Sequence, residues 1–451
     1  METEIASYTD FLLGRLRETA ENPALAVGER VITGSELFKA VHSAKSTLIN
    51  FGCQSGNVII LHGDFSINSV AFLLALIDME TIIVPLTLQT KKNVNEQISE
   101  LTPDYIVDTY ADVSIETMSF GGKTNKYIEQ LKNEKKPGLI LYTSGSTGKP
   151  KAVVHDFSKL LKKFTLKRPA LVTLNFLLFD HWGGLNTLLH SLSNSSMLVL
   201  PDADRNVDTI CKLIEKFKIE LLPATPSFLN MLILSGAFKR HDLSSLRIIS
   251  YGAEPMPEST LKAVLGYFPN VDLRQTYGMI ELGVLRAKSE NNSSLWVKLG
   301  GEGYDLRVVD GILQIKSDST MLGYVNAPMP VTEDGYFITG DMVEQQGEYL
   351  KILGRKSDII NIGGQKVYPS EIETVLLQID EVEDATVVGE THALMGSIVV
   401  ANIKTTGQIS QNELIRKIKR ECARQLQRYM VPSRINITNN SLQNYRLKRQ
   451  R

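Results

Sequence analysis

Cysteine is scarce. The 451-residue chain has three, Cys53, Cys211 and Cys422, which are far apart, odd in number and without CxxC spacing. That excludes a disulfide framework, argues against a zinc site, and fits a reducing, cytoplasmic setting. Excess charge of either sign is also missing. Forty-nine Lys and Arg stand against fifty Asp and Glu, a formal charge of −1, so no global basic field is available to hold nucleic acid or an anionic membrane. Long apolar runs are absent. The most apolar stretch, residues 70–77, is closed by Asp78 and Glu80, far short of the ~20 residues that cross a bilayer. Residues 1–20 mix Glu2, Glu4, Asp10, Arg15 and Glu18 with apolar positions, so they lack the apolar core of a signal peptide.

What remains is an ordinary globular composition, 43% apolar and 22% charged. Collagen-like and largely disordered chains are thereby excluded, and the length suggests two to four compact units. Short β-rich runs over 58–62, 81–86, 139–143, 171–178, 197–200, 246–251 and 271–276 alternate with helical patterns over 34–50, 70–79, 207–217 and 258–268. Thr33 with Glu36 three residues later forms a capping box at the first of these helices. Such alternation predicts an α/β domain with a mainly parallel sheet. Residues 110–136 are polar and read as a surface connection. From about Leu295 glycines crowd in and helical periodicity disappears, which predicts an antiparallel, barrel-like unit. After Gly354 helices return over 369–378 and 411–427, with strands over 385–389 and 398–404, the pattern of a small α+β domain. The division falls near 354–358, giving domains 1–354 and 355–451.

The densest chemistry follows a buried strand. Thr143, Ser144, Gly145, Ser146, Thr147, Gly148 and Lys149 form a loop of hydroxyls, glycines and a lysine, with Lys151 just beyond. Glycines let the backbone approach an anion, and hydroxyls and amides donate to phosphate oxygens. It is not a Walker A loop, because Thr143 stands where its first glycine would be and Pro150 follows the lysine. The run YTSGSTGKPKAVVH resembles the signature of the adenylate-forming superfamily, which includes acyl-CoA synthetases, peptide-synthetase adenylation domains and luciferases. Further motifs recur in the order of that family. The loop around Gly252, Ala253 and Glu254 resembles its adenine-binding loop. The segment Thr276, Tyr277, Gly278, Met279, Ile280, Glu281 resembles its Tyr-Gly-x-Thr-Glu element, with Ile280 in place of threonine.

The resemblance implies roles for these residues. Tyr277 would stack near adenine and Glu281 would help hold Mg²⁺. Asp341, in a Thr-Gly-Asp element, would accept both ribose hydroxyls, and Arg355, at the interdomain hinge, would add a nucleotide contact. Gly363 and Gly364 open the segment that would approach an incoming thiol. The ending matches the family's Thr-x-x-Gly-Lys-x-x-Arg at Lys448 and Arg451, with Asn444 and Leu447 as departures. Lys448 would be the lysine that reaches the α-phosphate. On the substrate side, His181 and Gly184 fit a His-x-x-Gly pattern beside the acyl pocket of acyl- and aryl-CoA ligases, with Trp182 as a pocket wall and Met279 nearby. Amino-acid-activating members of that family usually carry an aspartate here to hold the ammonium group, and Asp180, one position from His181, leaves such a substrate open; read structurally, Asp180 would cap a helix there. Lys159, Lys162, Lys163 and Lys167 recur roughly at helical spacing and read as a solvated face, with contact to a CoA phosphate as the alternative.

The resemblance thus implies an α/β fold with a small mobile C-terminal domain. It also implies an ATP- and Mg²⁺-dependent enzyme that activates a carboxylic acid as acyl-AMP and passes it to a thiol, most simply CoA. A carrier-protein thiol or an amine as acceptor, an amino-acid substrate, and a non-catalytic ATP-binding module remain open. The expected assembly is a monomer or homodimer without nucleic acid or a membrane span.

Overall fold

The computed structural model describes residues 8–121, 124–143, 149–202, 204–301, 303–362, 365–392, 396–405, 407, 409–438, 440 and 442. Two seven-stranded sheets form the larger part. In the first, four strands run parallel at the centre, in the order Gly138–Thr143, Ile82–Leu86, Val58–His62, Tyr105–Asp108. Val58–His62 is buried at every position, as a strand covered on both faces must be. Antiparallel strands finish it: Lys151–Asp156 and Gly323–Tyr324 on one side, Ser114–Thr117 on the other. The second sheet is parallel from Asp272–Gln275 through Ile248–Tyr251, Leu221–Ala224, Thr173–Leu174 and Leu198–Leu200 to Pro23–Val27, with antiparallel Arg30–Thr33 at its edge. Helices Gly34–Phe51, Ile67–Asp78 and Trp182–Ser193 supply buried leucines to one continuous core under the first sheet.

The capping box forms as expected, with Thr33 accepting from the Glu36 amide and Glu36 accepting from the Thr33 amide. The glycine-rich region is a six-stranded antiparallel sheet from Ala287–Ser289 to Tyr304–Val309. The C-terminal unit has its own core around Val367, Ile372, Leu376, Val387, Ala401 and Ile418. It contains helices Pro369–Leu376 and Gln411–Gln425 and strands Val382–His392, Gly396–Thr405 and Arg434–Thr438.

Two expectations need correction. Residues 110–136 are not a bare connection, since Ser114–Thr117 pairs with Tyr105–Asp108 and Lys126–Glu134 is a helix capped by Asn125. That helix buries only Ile128 and Leu131, an apolar stripe too narrow to stand out among its Lys, Glu and Asn neighbours. The strand expected over 171–178 shrinks to Thr173–Leu174. Beyond it the Asn175 side chain takes over the hydrogen bonding, donating to the Gly184 carbonyl and accepting from the Leu177 amide, which ends the ladder.

Candidate active site

Carboxyl ends of strands from both parallel sheets open onto one cleft of about 2430 Å³, with Thr143, Ala224, Gly252 and Thr276 on its wall. The turn at Gly252 is held close to Thr276. A Cβ at Gly252 would lie 2.4 Å from the Thr276 Oγ1 and 2.6 Å from its carbonyl oxygen, so only glycine fits without displacement. Ala253 follows at φ +70°, a left-handed conformation that costs an alanine roughly 1–2 kcal/mol. Thr276 donates to the Tyr251 carbonyl through both its amide, at 2.7 Å, and its hydroxyl, at 3.1 Å. Glu254 points elsewhere: its Oε2 accepts from the Ser227 hydroxyl at 2.6 Å and the Ser227 amide at 3.3 Å.

Glu281 faces the cleft and accepts from the Tyr324 hydroxyl at 2.8 Å. Burial, together with the Glu281 carboxylate, raises the Tyr324 phenol above its ordinary value, so Tyr324 stays a donor. Lys151 stands over the Tyr324 ring, its Nζ 5.3 Å from the centroid. His155, at the far end of the strand after the hydroxyl-rich loop, is buried and donates from Nε2 to the Ile280 carbonyl at 2.6 Å. Burial lowers its imidazole to about 4, so it holds this bond as a neutral ring. Tyr324 and His155 had no role assigned from the sequence, yet between them they fix the side chain of Glu281 and the backbone beside it. The Ile280 side chain is buried in the main core.

Tyr277 and Asp341 meet below the cleft. The Tyr277 hydroxyl donates to Asp341 Oδ2 at 2.6 Å, and Arg355 Nε lies 2.8 Å from Asp341 Oδ1. Arg355 also donates to the Thr339 carbonyl at 2.6 Å. Burial raises the Asp341 carboxyl above its ordinary value, with the Arg355 guanidinium opposing that shift. Burial and the Asp341 charge push the Tyr277 phenol well up. Tyr277 is 7% exposed, and its hydroxyl is committed to Asp341.

On the other side, helix Trp182–Ser193 starts at His181, whose Nδ1 accepts from the Gly183 amide at 3.3 Å. Asp180 is not the cap. It is buried, and its Oδ2 accepts from the Thr87 amide at 2.9 Å and the Thr87 hydroxyl at 2.6 Å. Gly184 is a packing glycine: a Cβ there would sit 2.1 Å from the Leu178 carbonyl oxygen. Trp182 belongs to the main core at 2% exposure, although its edge, with His181 and Met279, reaches the cleft. The lysine stripe is not one solvated face. The helix there is short, Phe157–Leu161, and the turn Lys162–Phe164 redirects the chain. Lys159, Lys162 and Lys163 line the cleft.

Ser144, Gly145, Ser146, Thr147, Gly148, Gly363, Gly364 and Lys448 lie outside the described residues. Lys149, beside the loop, is exposed. No group of three His, Cys, Asp or Glu suited to a metal occurs among the described residues. A lone carboxylate such as Glu281 still fits Mg²⁺, which keeps waters and is bound by one or two carboxylates plus substrate phosphates. The cleft itself is strongly cationic, with ten Lys or Arg against the carboxylates Glu281, Asp318 and Asp358 among its described lining. A chain of near-zero net charge therefore concentrates positive potential where polyanions would bind.

The AMP-binding enzyme model matches residues 14–324, and the AMP-binding enzyme C-terminal domain matches residues 371–447. The chain belongs to the AMP-binding enzyme family. This AMP-binding enzyme is 33% identical over 298 residues to an indoleacetate–CoA ligase of Aromatoleum aromaticum, covering 59% of this chain and 56% of that one. It is 26% identical over 476 residues to a 2-succinylbenzoate–CoA ligase of a Geobacillus species, covering 96% and 94%. Among solved structures, the anthranilate CoA ligase AuaEII in complex with anthranoyl-AMP superposes with a TM-score of 0.81 at 21% identity, covering 96% and 93%. The Bacillus subtilis o-succinylbenzoate CoA synthetase with its acyl-adenylate intermediate gives 0.75 at 20% identity, covering 98% and 96%. The fold is accordingly that of adenylate-forming enzymes, with a large N-terminal and a small C-terminal domain. No helix among the described residues is long and apolar enough to cross a membrane.

Proposed function

We propose that the protein is an AMP-forming acid–thiol ligase that joins a carboxylic acid to CoA. The observation that carries this reading is the convergence of Thr143, the Gly252–Thr276 wall, Glu281 and Arg355 on one cationic cleft. The similarity to relatives named as CoA ligases supports the choice of acceptor. In the first half-reaction an oxygen of the acid attacks the α-phosphorus of ATP. An acyl–O–P bond forms, the bond to the β-phosphate oxygen breaks, and pyrophosphate leaves. In the second half-reaction the sulfur of CoA attacks the acyl carbon, the C–O bond to AMP breaks, and AMP departs while the thiol proton is lost to solvent.

Each step demands stabilisation of negative charge by donors already in place. Thr143 and the hydroxyl-rich loop that follows it are assigned to the phosphates. Glu281, oriented by Tyr324, would hold Mg²⁺, which supplies charge neutralisation at the phosphates. Asp341 keeps lone-pair capacity beyond the bonds to Tyr277 and Arg355 and is assigned to the ribose. Lys448 is assigned to the α-phosphate during adenylation, with Gly363 and Gly364 lining the path of the thiol. Residues 355–451 are assigned as a mobile lid. Gly354, at φ +135° with no atom within 4 Å of where a Cβ would sit, is a fitting pivot. The lid has a core of its own, and beyond those of Arg355 its described polar bonds to the larger domain include Asn230 Nδ2 to the Glu383 carbonyl at 3.2 Å.

The protein's own thiols take no part. All three cysteines are buried, and burial raises Cys53 and Cys422 to about 11 and Cys211 to about 12. None is a thiolate near neutrality. Free buried cysteines also suit the reducing cytoplasm assigned to this enzyme. An amino-acid substrate fits poorly, because Asp180 is turned to Thr87 and the acyl side of the cleft is cationic. The test is pyrophosphate–ATP exchange across a panel of carboxylic acids, followed by AMP release with and without CoA. Acid-dependent exchange and CoA-dependent AMP release are expected. Exchange that proceeds equally without added acid, or AMP release indifferent to CoA, refutes the assignment.

A further inference from the structure

Lys163 is a cation without a carboxylate. It sits on the turn Lys162–Phe164, partly buried, and its ammonium group donates to Asn186 Oδ1 and to the Val284 carbonyl, the latter at 3.2 Å. An ammonium has three N–H donors, and no described acceptor takes the third. Its Nζ also stands 5.8 Å from the centroid of the Trp182 ring. Among the described residues it forms no ion pair, and neither does Arg168, which lines the same part of the cleft. His190 completes the group. With Trp182 and Asn186 it marks one face of the helix at intervals of four, and burial lowers its imidazole to about 4, with the charges of Arg168 and Lys163 adding to the effect. The two cations therefore reinforce each other around a neutral ring, with no acid to balance them. A desolvated, unpaired cation is costly, and a ligand anion would offset that cost.

The position decides which anion. Val284 pairs with Gly278 across a two-stranded ladder, Gly278–Met279 against Gly283–Val284. The Gly278 strand leads into Glu281, on the side assigned to phosphate chemistry. Lys163 sits one strand further on, beside Trp182 and Asn186, where the acyl portion would extend. The geometry points to a carboxylic acid that carries a second carboxylate at the end remote from the activated one, with Lys163 pairing to it and Arg168 at its outer side. This deepens the ligase reading and rests on it for the identity of the reacting carboxyl group.

The test compares acids of equal length in pyrophosphate–ATP exchange: glutarate, adipate and isophthalate against valerate, hexanoate and m-toluate. The wild-type enzyme is expected to favour the diacids by about 10- to 100-fold in kcat/KM, the range of one charge-assisted hydrogen bond. Lys163→Met should erase that preference by raising the diacid KM, leaving the ATP KM within a few-fold, and Lys163→Arg should restore part of it. A wild-type preference for the monoacids, or an equal loss on both sets in Lys163→Met, overturns the inference while leaving the ligase reading intact. If no acid supports exchange, the ligase reading fails, and direct binding judges the pocket alone. The chain has two tryptophans, so a Trp296→Phe background leaves Trp182 as the reporter beneath Lys163. Saturable change of its fluorescence with glutarate but not valerate, lost in Lys163→Met, upholds an anion pocket. Identical responses to the two acids rule it out.

Discussion

Replacing Asp341 by asparagine removes a charge and changes almost nothing in shape, so its effect can be worked from the bonds present. Asp341 is 8% exposed and receives the Tyr277 hydroxyl at 2.6 Å on one oxygen and Arg355 Nε at 2.8 Å on the other. Both partners donate. An asparagine has one oxygen, which would serve Arg355, and its amide would then face Tyr277 and leave that buried hydroxyl proton without its acceptor. A hydrogen bond to a charged group contributes about 1.5–3 kcal/mol, and the Tyr277 bond is buried enough to count in full. The Arg355 side chain is 46% exposed, so loss of that ion pair is discounted to about 1 kcal/mol. Asp341→Asn should therefore destabilise the large domain by about 2.5–4 kcal/mol. Tyr277→Phe should cost about 1.5–3 kcal/mol, and the double variant little more than Asp341→Asn alone, because the shared bond is lost only once. Urea unfolding of the three variants reads the cycle. In parallel, the ATP KM of Asp341→Asn should rise at least tenfold, with the ranking of carboxylic acids unchanged. If the two single effects add in full, the Tyr277–Asp341 bond carries no coupling and the argument is wrong. An unchanged ATP KM would remove Asp341 from the nucleotide site.

Three other outcomes follow from the same geometry. Gly252→Ala should raise the ATP KM at least tenfold, and adding Thr276→Ala should not restore it, because the Thr276 carbonyl oxygen remains 2.6 Å from the new methyl; full recovery in the double variant would place the conflict at the hydroxyl alone. Burial, with the adjacent charge of Arg168, lowers Lys163 to about 7, and His190, Arg168 and Lys162 are the titratable groups around it. The free enzyme thus holds the ammonium below pH 7 and loses it above. The KM for a diacid should climb by up to tenfold per pH unit above 7 while that of a matched monoacid stays level, and parallel profiles would contradict the pairing. His155, lowered to about 4 by burial, is protonated in the unfolded chain below its ordinary value near 6.5 but not in the fold. Stability is therefore lost as pH falls from 6.5 toward 4, by about 3 kcal/mol at most from this group. His155→Gln, which can still donate to Ile280, should make that loss shallower, and an unchanged slope in urea unfolding would exclude it.

Elements closed by their own boundary signals were legible to the residue. Val58–His62 is apolar throughout and sits between Asn57 and Gly63, and helix Val207–Phe217 has Asn206 as its cap and Lys218 in the left-handed conformation at its end. The nucleotide side was legible because its chemistry is concentrated in short, ordered motifs. What escaped depended on tertiary partners. Tyr324 and His155 are single residues outside any pattern, and only their bonds to Glu281 and to the Ile280 carbonyl give them meaning. Lys163 reads as surface by spacing, and becomes a partly buried part of the cleft wall because the chain turns after Leu161 and helix Trp182–Ser193 packs across it. Gly184 reads by motif as part of the acyl pocket and Asp180 as a helix cap, and only tertiary contacts show the Leu178 carbonyl passing close to Gly184 and Thr87 donating twice to Asp180.

The imbalance of charge in the cleft also bears on how fast it fills. Ten cations and three acids among its described lining, on a chain of net charge −1, leave the rest of the chain net negative. A triphosphate drifting nearby is turned away over most of the molecule and drawn in at the mouth, so its capture rate exceeds that of blind collision by an amount set by the dissolved salt. With a Debye length of about 10 Å at 0.1 M ionic strength and about 30 Å at 0.01 M, dilution lengthens the reach of that funnel. The association rate for ATP in stopped flow should then fall steeply with added potassium chloride while its dissociation rate changes little, and acids of lower charge should feel the same salt proportionately less.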